Sequence, residues 1–255
     1  MIKKIITSTF ASVILLSQVV NAEIKLGEKG SIGTIAFNAG YNSAYVWRGM
    51  DQNHGSGSPY VGADLTTPLG VYLGVWTASA QPTQPTGVNN SNDQEIDIYA
   101  GIAKTFGPLT FDLGVIEYRY PGADRQGSIR TVSNPVNFLE YYGKLKFAPD
   151  KAPFSIQLAY YQDDTDGQTT SATIKDKGKN YQEISGTYNF PILTVAASYG
   201  EYKGETETTT LTLSKSLFDM NFAATFVDAK KLTNSVAATS FNTSKDFFFN
   251  VSKTF

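Results

Sequence analysis

The amino-acid sequence predicts an all-β protein: a transmembrane antiparallel up-and-down β-barrel of about 12 strands, preceded by a cleaved signal peptide. Three observations support this prediction. Apolar and polar residues alternate through short stretches along the chain, as they do in strands with one apolar face. The connections between these stretches alternate between long polar loops and short turns. The sequence also ends on such a strand, whose last residue is the aromatic Phe255.

Residues 1–22 have the three parts of a secretory signal peptide, which leaves residues 23–255 for the predicted barrel domain. Lys3 and Lys4 supply the charged start, residues 5–16 the apolar centre, and Val20, Asn21 and Ala22 the cleavage region. The apolar run is shorter than the roughly 20 residues of a transmembrane helix. The sequence therefore predicts export through the periplasm to the outer membrane of a Gram-negative bacterium.

The composition excludes several kinds of partner and cofactor. Of the 21 basic residues, Lys3 and Lys4 lie in the signal peptide, so 19 remain against 23 acidic residues. This acidic balance argues against a nucleic-acid partner. There is no cysteine and a single histidine, His54, so we expect no disulfide, no metal site and no cofactor. Abundant aromatic residues in a mildly polar sequence are typical of a barrel with aromatic girdles at both membrane interfaces.

The alternation defines twelve strands, each with apolar residues on one parity that we expect to face lipid. In the first six strands the outward residues include Ile35, Phe37, Tyr45 and Trp47 (33–48), Val61 and Leu65 (59–67), Val71 and Leu73 (71–79), Ile96 and Ile98 (94–106), Phe111 and Leu113 (109–120), and Leu145 and Phe147 (136–148). In the last six they include Ile156 and Leu158 (154–162), Ile184 and Tyr188 (180–190), Val195 and Tyr199 (192–202), Leu211 and Leu213 (207–217), Phe222 and Phe226 (220–228), and Phe247 and Phe249 (245–255).

The connections give a second indication of a barrel. Short turns are predicted at residues 67–70, 107–108, 149–153, 191 and 218–219, and five of the other six connections are long and polar. Outer-membrane barrels have short periplasmic turns and long extracellular loops. An even number of strands places both termini in the periplasm. A soluble β-sandwich is the alternative, but it does not predict the alternation of loop lengths.

The terminal strand resembles the last strand of bacterial outer-membrane barrels, whose final residues act as an assembly signal. That resemblance implies contact with the barrel-assembly machinery through Phe255, and with outer-membrane lipid. Lys253 departs from the pattern, because such strands usually carry an apolar residue at that position.

Several sequence blocks resemble a proteobacterial family of outer-membrane porins, the TorF or Gcw_chp family. The blocks are residues 43–49 (SAYVWRG), 59–64 (PYVGAD), 70–76 (GVYLGVW), 95–101 (EIDIYAG) and 137–143 (NFLEYYG). The chain departs from the family wording at Ala44, Asp51 and Ala63. The resemblance covers the sequence after the signal peptide, most closely in its first half, and implies a barrel that acts as a channel.

If the apolar parity faces lipid, the opposite parity lines the lumen. The charged residues predicted to line the pore are Arg48, Asp64, Glu95, Asp97, Asp112, Glu140, Lys144, Lys146 and Glu183. Strand direction places Arg48, Glu95, Asp97, Glu140 and Glu183 near the outer mouth. We hypothesise that Arg48 pairs with one of three acids, Glu95, Asp97 or Glu140, and forms a constriction with an acidic excess. A static network that plugs and stiffens the barrel is the competing interpretation.

The sequence therefore predicts a porin-like channel, not an enzyme, that passes ions or small polar solutes through a narrow, acid-mouthed lumen. Two other functions are considered. A structural or adhesive barrel would act through the loops at residues 80–93 and 163–179. An outer-membrane hydrolase would use His54 and Ser56, but neighbouring loop residues rarely hold a nucleophile–base geometry. The acidic stretch at residues 163–167 resembles part of a calcium loop without its closing glutamate.

Overall fold

The computed structural model describes residues 23–81, 93–121, 137–164, 180–203, 206–231 and 245–255. The predicted signal peptide and most of the loops at residues 80–93 and 163–179 lie outside these described residues. The strands are β1 (Ile24–Leu26), β2 (Gly33–Asn42), β3 (Val46–Trp47), β4 (Met50–Asp51), β5 (Ser58–Thr66), β6 (Val71–Ser79), β7 (Gln94–Phe106), β8 (Leu109–Arg119), β9 (Phe138–Phe147), β10 (Phe154–Asp163), β11 (Asn180–Asn189), β12 (Thr194–Tyr202), β13 (Thr206–Leu217), β14 (Met220–Lys231) and β15 (Lys245–Thr254). A short 3₁₀ helix, Glu28–Gly30, follows β1.

Twelve of these strands form a closed antiparallel barrel, which confirms the predicted fold class. Each barrel strand pairs with the next along the chain, and β15 pairs with β2 to close the ring. Five short turns lie at the end of the barrel that carries both termini, which we call the terminal end. The strand ends that flank the other six connections, at residues 43–57, 80–93, 120–137, 164–179, 203–205 and 232–244, lie at the opposite end, which we call the loop end. Within the described residues, no helix has the length and apolar character needed to cross a membrane.

The seam between the first and last barrel strands is extended by β1. Phe255 exchanges two backbone hydrogen bonds with Phe37, of 2.7 and 3.0 Å. Immediately beyond them, Ile24 of β1 pairs with Ile35 on the same edge of β2. The N-terminal strand therefore continues the line of the C-terminal strand along β2, and the sequence pattern did not predict it.

The barrel wall separates an apolar exterior from a polar interior, as strand parity predicts. Side chains such as Leu73, Leu113 and Leu158 are more than half exposed on the outside. The interior has two contrasting sides. Trp76, most of the tyrosines and most of the charged groups come from β5 to β11. Apart from Tyr202, β12 to β15 contribute mainly small residues, such as Thr210, Thr212, Thr225, Ala196 and Ala223. This difference leaves room for another element on the β12 to β15 side.

Aromatic residues inside the barrel lie over glycines of the neighbouring strand. Residues that face each other directly in the ladder are Gly40 and Tyr60, Gly62 and Trp76, Gly74 and Tyr99, Gly101 and Tyr72, and Gly114 and Tyr142. A side-chain methyl group at Gly40, Gly74, Gly101 or Gly114 would overlap the tyrosine opposite it, and one at Gly62 would crowd Asn38 and Trp76. The glycines therefore allow the rings to lie against the wall, which packs the interior closely.

The first predicted strand requires a correction. It was expected to extend from residue 33 to residue 48, with Tyr45 and Trp47 facing lipid. The wall strand β2 ends at Asn42, and the chain then turns into the lumen as the short hairpin of β3 and β4. Tyr45 is buried inside the barrel against Trp76, and Trp47 packs against Tyr118. The prediction for these two residues was therefore wrong.

Candidate functional site: a hairpin that crosses the lumen

The segment Ala44–Gln52, here called the lumen hairpin, leaves the wall at Ser43. The backbone N–H of Ser43 donates to the carbonyl of Phe249 at 2.8 Å, and the Ser43 hydroxyl accepts from the N–H of Phe249 at 2.8 Å. These bonds complete the edge of β15, so the next residues are released from the ladder. The hairpin is closed by a bond from Gln52 N–H to the Tyr45 carbonyl at 2.7 Å.

The tip of the hairpin is a two-residue turn at Arg48 and Gly49. Both residues have positive φ, 48° and 81°, as in the type I′ turns that connect short hairpins. The Thr208 hydroxyl donates to the Arg48 carbonyl at 2.9 Å, and a methyl group at Gly49 would lie 2.6 Å from the Ala229 methyl. The tip therefore rests on the side of the wall that is lined by small residues.

Both faces of the hairpin are covered by the barrel. On one face, Ala44 and Val46 pack with Val227 and Phe248 in an apolar cluster. On the other, Tyr45 and Trp47 join the aromatic cluster of β6 to β9. The hairpin thus spans the lumen at the loop end and is packed on both sides.

The Arg48 side chain extends from the tip into a cage formed by one carboxylate and four aromatic rings. Its two terminal nitrogens donate to the two oxygens of Glu140 at 2.7 and 2.8 Å, and Nη1 also donates to the Tyr202 hydroxyl at 2.7 Å. The guanidinium carbon lies 4.3 to 5.5 Å from the ring centroids of Trp47, Tyr161, Tyr181 and Tyr202. We call these four aromatic residues and Glu140 the cation cage.

The cage keeps Arg48 charged although it is almost fully buried. Arg48 is 5% exposed and Glu140 is 2% exposed. Burial alone would lower the pKa of Arg48, but the charge of Glu140, the neighbouring Tyr202 and Tyr118, and the hydrogen bonds to Glu140 together leave that pKa well above its ordinary value. Bidentate pairing and cation–π contacts satisfy the guanidinium in place of water.

Glu95 and Asp97 form a second acidic group at the loop end. The Tyr45 hydroxyl donates to Glu95 at 2.8 Å, and burial, together with the charge of Glu95, raises the pKa of Tyr45. The Asp97 carboxyl lies next to that of Glu95 and is 0% exposed. Neither Asp97 oxygen has a hydrogen-bond donor within the described part of the chain.

The remaining predicted pore residues are spread along the interior. Asp64 accepts hydrogen bonds from Tyr99 and from Asn38, the latter at 3.2 Å. Lys144 lies 4.0 Å from Asp112 and over the Tyr142 ring, and Glu183 accepts from the Tyr181 hydroxyl at 3.3 Å. Lys146 is buried nearer the terminal end. The structure therefore brings Arg48 and Glu140 together, and Glu95 beside Asp97, but leaves Asp64 in a separate network.

The cage tyrosines were not singled out from the sequence. Tyr161, Tyr181 and Tyr202 all have the inward parity of their strands, so their orientation was available from alternation. Their alignment across neighbouring strands could not be predicted from alternation, because it depends on the strand register. In that register Tyr161 faces Tyr181, and Tyr181 faces Tyr202. Strand ends predicted to within two residues do not give that register.

The sequence also drew attention to His54 and Ser56 for catalysis and to residues 163–167 for calcium. His54 and Ser56 are both exposed, in a turn beyond the hairpin. No group of three or more potential metal ligands occurs among residues 23–81, 93–121, 137–164, 180–203, 206–231 and 245–255. Most of the acidic stretch at residues 163–167 lies outside them.

Comparison with solved structures shows porins of similar fold. The KdgM porin matches with a TM-score of 0.50 and 11% identity, over 87% of this chain and 97% of that one. The KdgM porin in complex with disordered oligogalacturonate matches with a TM-score of 0.51 and 12% identity, over 87% of this chain and 97% of that one. The NanC porin matches with a TM-score of 0.50 and 9% identity, over 86% of this chain and 97% of that one. At these identities the likeness establishes the fold.

Comparison by sequence identifies the family. No curated protein matches the chain. Residues 27–255 match the family model described as "Bacterial protein of unknown function (Gcw_chp)". The match covers the whole barrel, from the residue after β1 to the C-terminal phenylalanine. The chain therefore belongs to the Gcw_chp family, as its sequence blocks indicated.

Proposed function

We propose that the protein is an outer-membrane channel for ions and small polar solutes, and that the lumen hairpin narrows its outer mouth. The observation that carries this proposal is the position of the hairpin, which packs against β14 and β15 on one face and against the aromatic cluster of β6 to β9 on the other. A closed barrel with the fold of known porins supports a channel more than an enzyme. A hairpin inside the lumen supplies a constriction without altering the wall.

The orientation in the membrane follows from the proposal. An apolar exterior suits the hydrocarbon layer, and the loop end would face the outside, since outer-membrane barrels place long loops there. Both termini would then face the periplasm. The pairing of Phe255 with Phe37 at the seam supports a role for the last residue in assembly by the barrel-assembly machinery.

The charges at the loop end support a preference for cations. Arg48 and Glu140 neutralise each other, so Glu95, Asp97 and Glu183 remain as three acidic side chains in this part of the lumen. Rings of acidic side chains favour cation passage. Oligogalacturonate, present in one KdgM structure, is a polyanion, and the acidic mouth of this chain argues against a ligand of that charge.

A structural barrel that does not conduct is the second candidate, and one observation favours it. Around Arg48, the side chains of Tyr118, Tyr142, Tyr181 and Tyr202 are all buried. Dense packing at this level is what a permanent plug requires, whereas a channel requires the hairpin to move.

Planar-bilayer recording with the refolded mature protein separates the two candidates. The channel proposal predicts discrete conductance steps and, in a salt gradient, a reversal potential that reports cation preference. Arg48→Ala should increase the conductance, and Arg119→Ala, at the exposed end of β8, should leave it unchanged. A silent bilayer with barrels shown to be folded by heat-modifiable migration would support the structural candidate.

A further inference from the structure

The turn at the hairpin tip has an unusual residue at its first central position. Type I′ turns favour Asn, Asp or Gly there, because the positive φ is strained for longer side chains. Arg48 occupies that position with φ 48°. Residues that break a local backbone rule are often found at functional sites. The turn itself does not require an arginine, so its side chain must account for its presence.

The cage that receives this side chain belongs almost entirely to the wall. Tyr161, Tyr181 and Tyr202 stand on β10, β11 and β12 and face one another directly across the ladders. Glu140 lies on β9 and also accepts from the Tyr118 hydroxyl at 3.2 Å. Of the five cage residues, only Trp47 comes from the hairpin. The site is therefore fixed by strand pairing and does not depend on the hairpin for its shape.

The hairpin is attached to the wall in a different way. Within the described residues, the backbone of the hairpin bonds to the chain beside the wall only at its end, where the Gln52 carbonyl accepts from the Gln81 N–H at 2.6 Å. The rest is held by side chains: the Tyr45 hydroxyl on Glu95, the Thr208 hydroxyl on the tip, and Arg48 itself. The ladder bonds of β9 to β12, by contrast, are continuous through the cage. The occupant and the site thus belong to separate elements, and the occupant is the less firmly held.

We propose that the wall cage is a binding site for solutes that carry a guanidinium group, and that Arg48 occupies it as an internal ligand. A planar cation can pair with both oxygens of Glu140 while its faces contact the tyrosine rings. A guanidinium solute that takes this place releases the hairpin tip. The effect on passage rests on the proposed channel function, but binding to the cage does not.

Binding is tested by removing the internal ligand and adding methylguanidinium. Arg48→Gly deletes the side chain and suits the positive φ of the turn. We expect millimolar methylguanidinium to raise the Tm of this variant and to bind it at least about tenfold more tightly than the Arg119→Ala variant, which loses an exposed Arg–Glu pair. Methylammonium lacks the planar fork that makes two parallel bonds to a carboxylate, so it should have a much smaller effect. Arg48→Gly combined with Glu140→Gln should lose the response.

The same experiment remains decisive if Arg48→Gly folds poorly. Its refolding yield should then rise with methylguanidinium and not with methylammonium. An equal response of Arg48→Gly and Arg119→Ala, in Tm or in yield, would overturn the proposed site.

A second arm uses the wild-type protein in bilayers, where methylguanidinium on the loop side should increase the open fraction. If methylguanidinium binds without a change in the open fraction, the cage is a binding site but its occupation does not release the hairpin. A silent wild type that still binds would reject the channel function and leave the site standing.

Discussion

Two arginine–glutamate pairs of this barrel have similar contacts but very different surroundings. Arg48 and Glu140 pair at 2.7 Å with side chains 4% and 2% exposed. Arg119 and Glu117 pair at 2.8 Å on the outside of β8, with side chains 51% and 35% exposed. Exposed pairs add little to stability, but removal of one partner from a buried pair leaves a charge without compensation. The two pairs therefore provide a matched comparison.

Glu140→Gln is expected to destabilise the barrel strongly. The amide cannot neutralise Arg48, which stays buried among the tyrosines, and the expected loss is about 3–5 kcal/mol. The midpoint of urea unfolding, followed by heat-modifiable migration in lipid, measures this change. Glu117→Gln should leave the midpoint nearly unchanged. Equal midpoints for the two variants would show that the cage does not hold the hairpin.

Asp97→Asn is expected to have the opposite effect. Asp97 is fully buried, next to Glu95, and neither of its oxygens has a donor in the described residues. An amide costs less to bury and can donate to Glu95, so the unfolding midpoint should rise by an amount equivalent to about 1–3 kcal/mol. Asp64→Asn is the control, because Asp64 accepts from two donors and should lose stability. A lower midpoint for Asp97→Asn would indicate an ion or donor at this site.

At the scale of the strands, glycine–aromatic pairs fix how closely the interior packs. Gly114→Ala should displace Tyr142, which faces it across β8 and β9, and break the 2.5 Å hydrogen bond between the Tyr142 and Tyr72 hydroxyl groups. Such overpacking costs about 1–3 kcal/mol. Gly186→Ala is the matched control, because the added methyl would meet only the Ser155 carbonyl oxygen at 3.8 Å. Urea unfolding should separate the two variants, and a tolerated Gly114→Ala would contradict this packing.

Strand prediction succeeded where alternation and turns agreed, and failed where they did not. Both ends of the strand at 94–106 were predicted correctly, because its alternating pattern begins after polar loop residues and ends before Gly107. The first strand was extended too far, since Tyr45 and Trp47 continue the parity of Phe37 after the chain has left the wall. Only the bonds of Ser43 to the edge of β15, formed 206 residues along the chain, end that strand. The local alternation of apolar and polar residues gives no indication of such a distant contact.

At the scale of the whole molecule, closure of the barrel was predictable and the filling of its lumen was not. Strand number, parity and loop alternation together define a closed ring with a polar interior. The charged residues of the interior follow from the same parity. The cage does not follow from parity, because it joins the hairpin tip at Arg48 to Glu140, 92 positions along the chain, and to Tyr202, 154 positions along the chain. The choice of Glu140 over the neighbouring acids is set by strand register.

The seam gives a prediction about assembly. Deletion of Phe255 removes two backbone hydrogen bonds to Phe37 and leaves the edge of β2 unpaired between β15 and β1. We expect a lower fraction of heat-modifiable barrels in outer membranes of cells that express the variant, with a stability loss of about 1–3 kcal/mol. Replacement of Phe255 by Tyr keeps the backbone bonds and serves as the control. Equal assembly of the deletion variant would argue against a role for this residue.

The most direct test of the central claim is single-channel conductance with and without the lumen hairpin. Residues 44–52 would be replaced by a short Gly-Ser linker, and folding of the variant verified by heat-modifiable migration. If the hairpin obstructs the lumen, the variant should conduct steadily and with larger steps than the wild type, whose steps should be small or rare. Equal conductance of the two folded proteins would contradict the claim that the hairpin controls passage.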